Sequence, residues 1–346
     1  MISRTQEEIM HKWPVEYSGS LVSIRCLTYN HEQYIADALD GFLKQETNFP
    51  FEVIVHDDAS TDETANIIRE YEKKYPKIIK PIYEKENQYS KHDGSLSRIM
   101  EAACNGKYHA FCEGDDCWIA PNKLQMQVDW LEDHPEYTMC FHCSEINNEY
   151  NIPCNLNCKL VKDKDYSATE LFQEWIVPTA SICIRKDVLS YPIKHSENIL
   201  NGDIILIEKA AHSGKVRGST LKMAVYRVHP AGVTYDPKFR MKRILAYPNH
   251  FLAIKENFPL IKRRVINKII CDSYIQVWTC ADHQNRWLRM AFFSSPMHFV
   301  KVFVFGGFAN AYCFAKKKKY KDAFFSLPIL RFVVPFVYYN ILRFGK

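Results

Sequence analysis

The sequence of 346 residues predicts an α/β protein built on a mostly parallel, doubly wound sheet flanked by helices. Short apolar runs alternate with amphipathic stretches of the length that βαβ units need. Three of those runs end in polar loops that open helices, and doubly wound sheets bind their ligands at such strand ends. One of the loops, in Phe111-Cys112-Glu113-Gly114-Asp115-Asp116-Cys117-Trp118, places three carboxylates at the end of an apolar run. Such charge at a strand end is costly unless a cation compensates it. Hard divalent ions take oxygen ligands and commonly bridge a carboxylate to substrate phosphates. A metal–diphosphate site and a solvated acidic turn that caps the next helix are both open on these residues alone.

Each element has its own signal. Leu21 to Leu27 reads as a strand running into Thr28-Tyr29-Asn30-His31-Glu32. His31 to Lys44 places Ile35, Leu39, Phe42 and Leu43 on one helical face. Phe51 to Val55 is a second strand, followed by His56-Asp57-Asp58-Ala59-Ser60-Thr61-Asp62-Glu63-Thr64. Ser60 and Glu63 have capping-box spacing, which explains the loop's polarity only from Ser60 onward. Thr64 to Tyr75 is a helix stopped by Pro76, and Ile78 to Tyr83 is a strand leading to Asn87. Ser95 to Cys104 is a helix, and Tyr108 to Cys112 is the strand feeding the acidic loop. Lys123 to Glu132 is a helix ended before His134-Pro135. Further on, Thr179 to Ile184 reads as a strand. Asn201-Gly202-Asp203 opens an apolar helix closed by Gly214, with Asp203 placed as its N-cap.

The ordered set Thr28-Tyr29-Asn30-His31-Glu32, His56 to Asp62, and Glu113 to Trp118 resembles the successive motifs of the family 2 glycosyltransferases. The likeness covers about residues 20 to 235. It implies the GT-A fold, a Rossmann-like sheet flanked by helices. It also implies a nucleoside-diphosphate-sugar donor, with UDP-sugars foremost, a Mn²⁺ or Mg²⁺ cofactor, and inversion at the anomeric carbon. By the same resemblance Asp116 holds the metal and Asp115 the ribose hydroxyls, while Asp57 or Asp58 reads the base. Thr28, Asn30, Asn87 and Glu113 line the donor site. Asp203 is the base that takes the acceptor hydroxyl's proton. Val225-Tyr226-Arg227-Val228-His229 resembles the family's Tyr-Arg-x-His element, whose Arg227 and His229 complete the diphosphate and metal site. The family often has Asp where Glu113 stands and Ser or Ala where Gly114 stands. That departure leaves the choice of donor open.

The expected organisation is an N-terminal extension at 1–20, a nucleotide-sugar-binding half at 21–145 and an acceptor half at 146–235. A helical region at 236–290 and a tail at 291–346 follow. The polar, acidic start does not resemble a signal peptide. The 12 cysteines lack the spacing of a disulfide scaffold, so a reducing cytoplasm is expected. Cys140, Cys143, Cys154 and Cys158 have spacing compatible with zinc, though buried thiols are the favoured reading.

The tail carries nine Lys and Arg against Asp322 alone, interleaved with Phe, Val and Leu. Arg331, Pro328 and Pro335 interrupt its last apolar run, which argues against a clean membrane span. Docking on the anionic inner face of the cell membrane is expected, with a dimer surface as the alternative. No nucleic-acid motif accompanies the lysines. The chain therefore reads as a peripheral glycosyltransferase of surface-glycan synthesis, such as capsule, lipopolysaccharide or exopolysaccharide, with a glycan or lipid-linked acceptor. A silent scaffold at the membrane is the alternative.

Overall fold

The computed structural model describes residues 2–14, 19–91, 93–151, 154, 156, 160–195, 198–200, 202–232, 237–278, 285–300 and 302. In chain order, its first half holds α1 (Gln6–Met10), β1 (Val22–Thr28), α2 (Ile35–Leu43), β2 (Phe51–Asp57), α3 (Thr64–Lys74), β3 (Ile79–Tyr83), α4 (Ser95–Ala103), β4 (Tyr108–Phe111), β5 (Cys117–Trp118) and α5 (Lys123–Asp133). There follow β6 (Tyr137–Asn147), β7 (Lys164–Tyr166), α6 (Ala168–Gln173), β8 (Cys183–Arg185), α7 (Gly202–Ser213) and β9 (Lys215–Arg227). The last helices are α8 (Pro237–Asn257), α9 (Arg263–Val277), α10 (Asn285–Ser294) and α11 (Pro296–Val300). Two compact units result: Met1–Asp236 with Glu256–Ile261, and Pro237–Lys255 with Lys262–Lys346.

The first unit is organised by one sheet of order β3-β2-β1-β4-β8-β6-β9-β5, with β7 on β9. The half from β3 to β4 is parallel throughout. Beyond it the sheet is mixed, because β8 runs antiparallel to both β4 and β6. The strand order reverses between β1 and β4, which opens a crevice at their carboxyl ends.

Burial explains the arrangement. Ile35, Leu39, Phe42 and Leu43 of α2 are fully buried in the same cluster as Ile24, Val53 and Ala110. Helix α2 lies so close to β5 that a Cβ on Gly41 would sit 2.7 Å from the Trp118 carbonyl oxygen, and only glycine fits there. Strand β6 serves both faces: Cys140 belongs to that cluster, while Met139, Phe141 and Cys143 pack with Ile182, Ile184, Leu206 and Ile207. Cys140 and Cys143 therefore point into different cores and cannot share a zinc ion. Cys154 is half-buried and Cys158 lies outside the described residues.

Three sequence expectations are corrected here. Ser60 and Glu63 form no capping box: Ser60 Oγ accepts from the Asn30 amide instead, and Glu63 makes no side-chain cap bond. The expected strand at Thr179 begins only at Cys183, because Thr179–Ser181 is a tight 3₁₀ turn. Its carbonyls are taken by side chains, Ala180 O by Trp118 Nε1 and Ser181 O by Gln127 Nε2. Asp203 is not a cap but lies inside the first turn of α7, where its carboxylate accepts from the Ile204 amide.

In the second unit, Ile266, Ile270, Cys271, Tyr274 and Val277 form the buried face of α9, and Tyr274 stacks on Trp287 of α10. No helix among the described residues is long and apolar enough to cross a membrane. Residues 303–346, including Lys316 to Lys319, lie outside the described residues.

Buried Glu208 of α7 carries a stability cost. Neither of its carboxylate oxygens has a hydrogen-bond partner. Its neighbour His212 donates Nδ1–H to the Glu208 carbonyl and accepts the Leu260 amide on Nε2, so the imidazole is neutral. Burial pushes the Glu208 carboxyl up to about 8. The folded state therefore keeps a proton that the unfolded chain releases near pH 4.5. Stability should fall as pH rises from there to about 8, by on the order of a few kcal/mol. Urea midpoints measured across that range should show the slope in the wild type and a flatter profile in Glu208→Gln.

Candidate active site

Four chain segments converge at the crevice. The acidic turn leaves β4, its Gly114 amide donating to the Leu27 carbonyl and its Asp116 amide to the Glu113 carbonyl. A Cβ on Gly114 would meet Thr28 Oγ1 at 2.7 Å and His31 Nδ1 at 3.0 Å, so glycine lets the turn lie against the end of β1. Strand β9 pairs with β5 and delivers Arg227 to the same place.

Asp115 and Asp116 are neighbours with different surroundings. Asp116 is 2% exposed, and its Oδ1 accepts from the Arg227 amide at 2.8 Å. Asp115 turns its Oδ2 to His229 Nε2 at 3.1 Å and to His31 Nε2 at 3.7 Å. Burial raises the Asp116 carboxyl well above the ordinary range, and the charge on Asp115 adds to it. For Asp115 burial acts the same way, but the His229 hydrogen bond and the His31 ring outweigh it and hold the carboxyl low. The enclosure of the cleft and the charges of Asp115 and Asp203 raise Glu113, although its side chain still reaches solvent. Asp203 thus lies within electrostatic reach of the acidic turn. Burial raises its carboxyl too, against the lowering effect of the Ile204 amide.

Arg227 ties the segments together. Its guanidinium donates to the Asp115 carbonyl at 3.0 Å and to Asp37 of α2 at 2.7 Å. It also lies over the Tyr34 ring, and Tyr34 packs on His229 with ring centroids 4.8 Å apart.

The other expected residues divide into two groups. Thr28 and Asp57 are buried at adjacent strand ends, and Thr28 Oγ1 and Asp57 Oδ1 have no hydrogen-bond partner. Asn30, Asp58 and Asn87 are occupied by the protein. Asn30 sits at φ 55°, and its Oδ1 accepts from the Thr61 amide. The Asp58 carboxylate accepts the Gln88 and Tyr89 amides, and Asn87 Nδ2 donates to the Asp58 carbonyl. These three hold the loops around the crevice in place. His31, Tyr34 and Asp37 were not singled out from sequence. Their signal is spacing: each lies three residues from the next, starting from a strand-end loop.

Residues 23–180 match the family model described as glycosyl transferase family 2. The match takes in 158 of the 346 residues and contains all the strand-end loops of the crevice up to the acidic turn. An uncharacterised protein of Mycobacterium tuberculosis is 38% identical over 215 residues, which span 62% of this chain and 61% of that relative. An Escherichia coli enzyme, UDP-Glc:α-D-GlcNAc-diphosphoundecaprenol β-1,3-glucosyltransferase, is 27% identical over 181 residues, covering 51% of this chain and 66% of its own. Among solved structures, residues 1–349 of TarS from Staphylococcus aureus, in complex with UDP-GlcNAc, share the fold with a TM-score of 0.58 at 16% identity. That superposition covers 90% of this chain and 91% of the other.

The Gly114 contact gives a test of how tightly the turn is fitted. Gly114→Ala should cost about 1–3 kcal/mol through overpacking against Thr28 and His31. Its urea midpoint should fall while the denaturant slope stays unchanged.

Proposed function

We propose that this chain transfers a sugar, with inversion, from a nucleoside-diphosphate sugar to a hydroxyl of a glycan or lipid-linked acceptor. The observation that carries the reading is the pairing across one crevice of Asp115, faced by His229 and His31, with the half-buried Asp203 of α7. The likeness of residues 23–180 to glycosyl transferase family 2 supports the reaction class. The Escherichia coli relative's name supports a UDP-sugar donor and a lipid-linked acceptor in surface-glycan synthesis. Work at the inner face of the cell membrane follows from such an acceptor.

The donor-binding residues have distinct tasks. The unpartnered Thr28 hydroxyl and Asp57 oxygen are polar groups that call for a ligand partner, and a nucleoside supplies hydroxyl and N–H groups. Asp203 accepts the proton of the acceptor hydroxyl while that oxygen bonds to the anomeric carbon. The bond from that carbon to the diphosphate breaks in the same displacement, so the configuration inverts and no covalent nucleophile is needed. Arg227 keeps the acidic turn and α2 in register while charge grows on the leaving diphosphate.

A divalent ion fits the donor set. Among the described residues no group of three or more His, Cys, Asp or Glu side chains could cage a metal. Asp115 and His229, whose Oδ2 and Nε2 lie 3.1 Å apart, would hold Mg²⁺ or Mn²⁺, hard cations that favour oxygen ligands such as the Asp115 carboxylate. In this reading Asp116, which the resemblance makes the metal ligand, braces Arg227 by accepting its amide. When bound, the ion supplies positive charge to the diphosphate leaving group.

Two outcomes follow. Asp203→Asn should lower transfer by about 10²–10⁴-fold and leave UDP binding, read by calorimetry, intact. In the wild type the acid limb of kcat/KM should lie above the ordinary Asp range near 3.9, because burial raises Asp203. Loss of UDP binding in Asp203→Asn, with transfer only slightly reduced, would make this residue structural. Separately, excess EDTA should stop donor consumption and added Mn²⁺ should restore it. Unchanged turnover in EDTA would remove the metal from the reading, and no turnover under any condition would leave the silent scaffold.

A further inference from the structure

The second unit carries an apolar surface with no counterpart in the catalytic machinery. Ser295 joins α10 to α11: its amide donates to Ala291 O and its carbonyl accepts from the Phe299 amide. Burial alternates at the same spacings of three and four on both sides of Ser295, so the two helices share an inner and an outer side. Leu288, Ala291 and Phe299 are buried on the inner side. On the outer side Met290, Phe293, Met297 and Val300 follow at spacings of three and four, so they form a single stripe. Phe293 is 79% exposed and Met297 85%. Arg286 lies one turn before Met290 and Arg289 one turn before Phe293, both exposed.

The charge around this stripe identifies its occupant. The second unit holds 20 Lys and Arg against Asp272, Asp282 and Asp322, a net +17, whereas the first unit holds 25 against 37 acids, a net −12. From His283 to Lys321 the sequence contains no acid. A second copy would bring the same cationic stripe face to face with itself. Residues 303–346, with eight basic residues and Asp322, would also meet it with like charge. A surface that is both anionic and apolar satisfies both properties, and an anionic lipid bilayer is such a surface.

We propose that the outer face of α10 and α11 seats in the headgroup region of an anionic membrane, with Phe293 and Met297 inserted and Arg286 and Arg289 on lipid phosphates. This rests on the membrane location within the proposed function and assigns it to a described surface. Phe293 and Met297 supply the apolar part of binding, which salt leaves in place. The arginines and lysines supply a part that salt screens.

The test is flotation of the full chain on phosphatidylcholine vesicles with and without phosphatidylglycerol. Wild type should float with the anionic vesicles only. Phe293→Ser with Met297→Ser should weaken that binding at least about tenfold with an unchanged circular dichroism spectrum, since both side chains are exposed. In a Phe293→Trp variant, emission should shift to the blue on adding anionic vesicles. Full binding by the double variant, with loss on replacing Lys316 to Lys319 by Gln, would overturn this face while leaving the membrane reading standing. Absence of wild-type binding to either vesicle would sink both, whatever the transfer activity. Binding to duplex nucleic acid in place of vesicles, or self-association abolished by the double variant, would overturn the proposal in favour of those partners.

Discussion

Like charge at one strand end is the problem around which the first unit is arranged. Glu113, Asp115, Asp116 and Asp203 share one crevice, and three of them have raised carboxyls. Carboxylates so enclosed persist only if cations and hydrogen-bond donors reach them. Arg227 answers through its amide on Asp116 and its guanidinium on the Asp115 carbonyl and on Asp37. His229 answers through Asp115. Arg227 and His229 arrive together because β9 ends at Arg227 beside β5, so the sheet register itself aims both side chains.

The loops that frame this charge are fixed to one another before any ligand arrives. Asn30 reaches the loop after β2, Asp62 takes the Glu32 amide, and Glu32 takes the Glu63 amide in return. Asp58 fixes the segment after β3. A binding site whose loops are already ordered loses less conformational entropy on binding. Several acids and amides that look like ligand contacts in the sequence are thus committed to this ordering.

Much of the fold was legible because burial writes it plainly. Strands β1, β2 and β4 are covered on both faces, and such strands read as continuous apolar runs. The face of α2 appeared as Ile35, Leu39, Phe42 and Leu43, all fully buried. The crevice residues of the acidic turn, Thr28 and Asp57 were also visible, since they mark strand ends. What stayed hidden depends on pairing between distant parts of the chain. Asp37 meets Arg227 across 190 positions. The 179–181 turn reads as strand until Trp118 and Gln127 take its carbonyls. Asp115 and Asp116 differ by one position, and only the backbone turn decides which faces His229 and which lies behind.

The interposition of β8 and β9 sets an order of assembly during synthesis. The parallel half from β3 to β4 is complete once residue 111 has emerged. At that stage the edge of β4 that will receive β8 is bare, and an unpaired edge is a template for wrong partners. Strand β8 closes that edge only after residue 185, and Arg227 reaches the acidic turn later still. A nascent chain therefore carries an open edge for the 74 residues from 111 to 185 and an uncompensated acidic turn for the 111 residues from 116 to 227, at about 5–20 residues per second. Translation speed through 112–227, and chaperone cover over the β4 edge, thus bear on the yield of native protein independently of the stability of the finished fold.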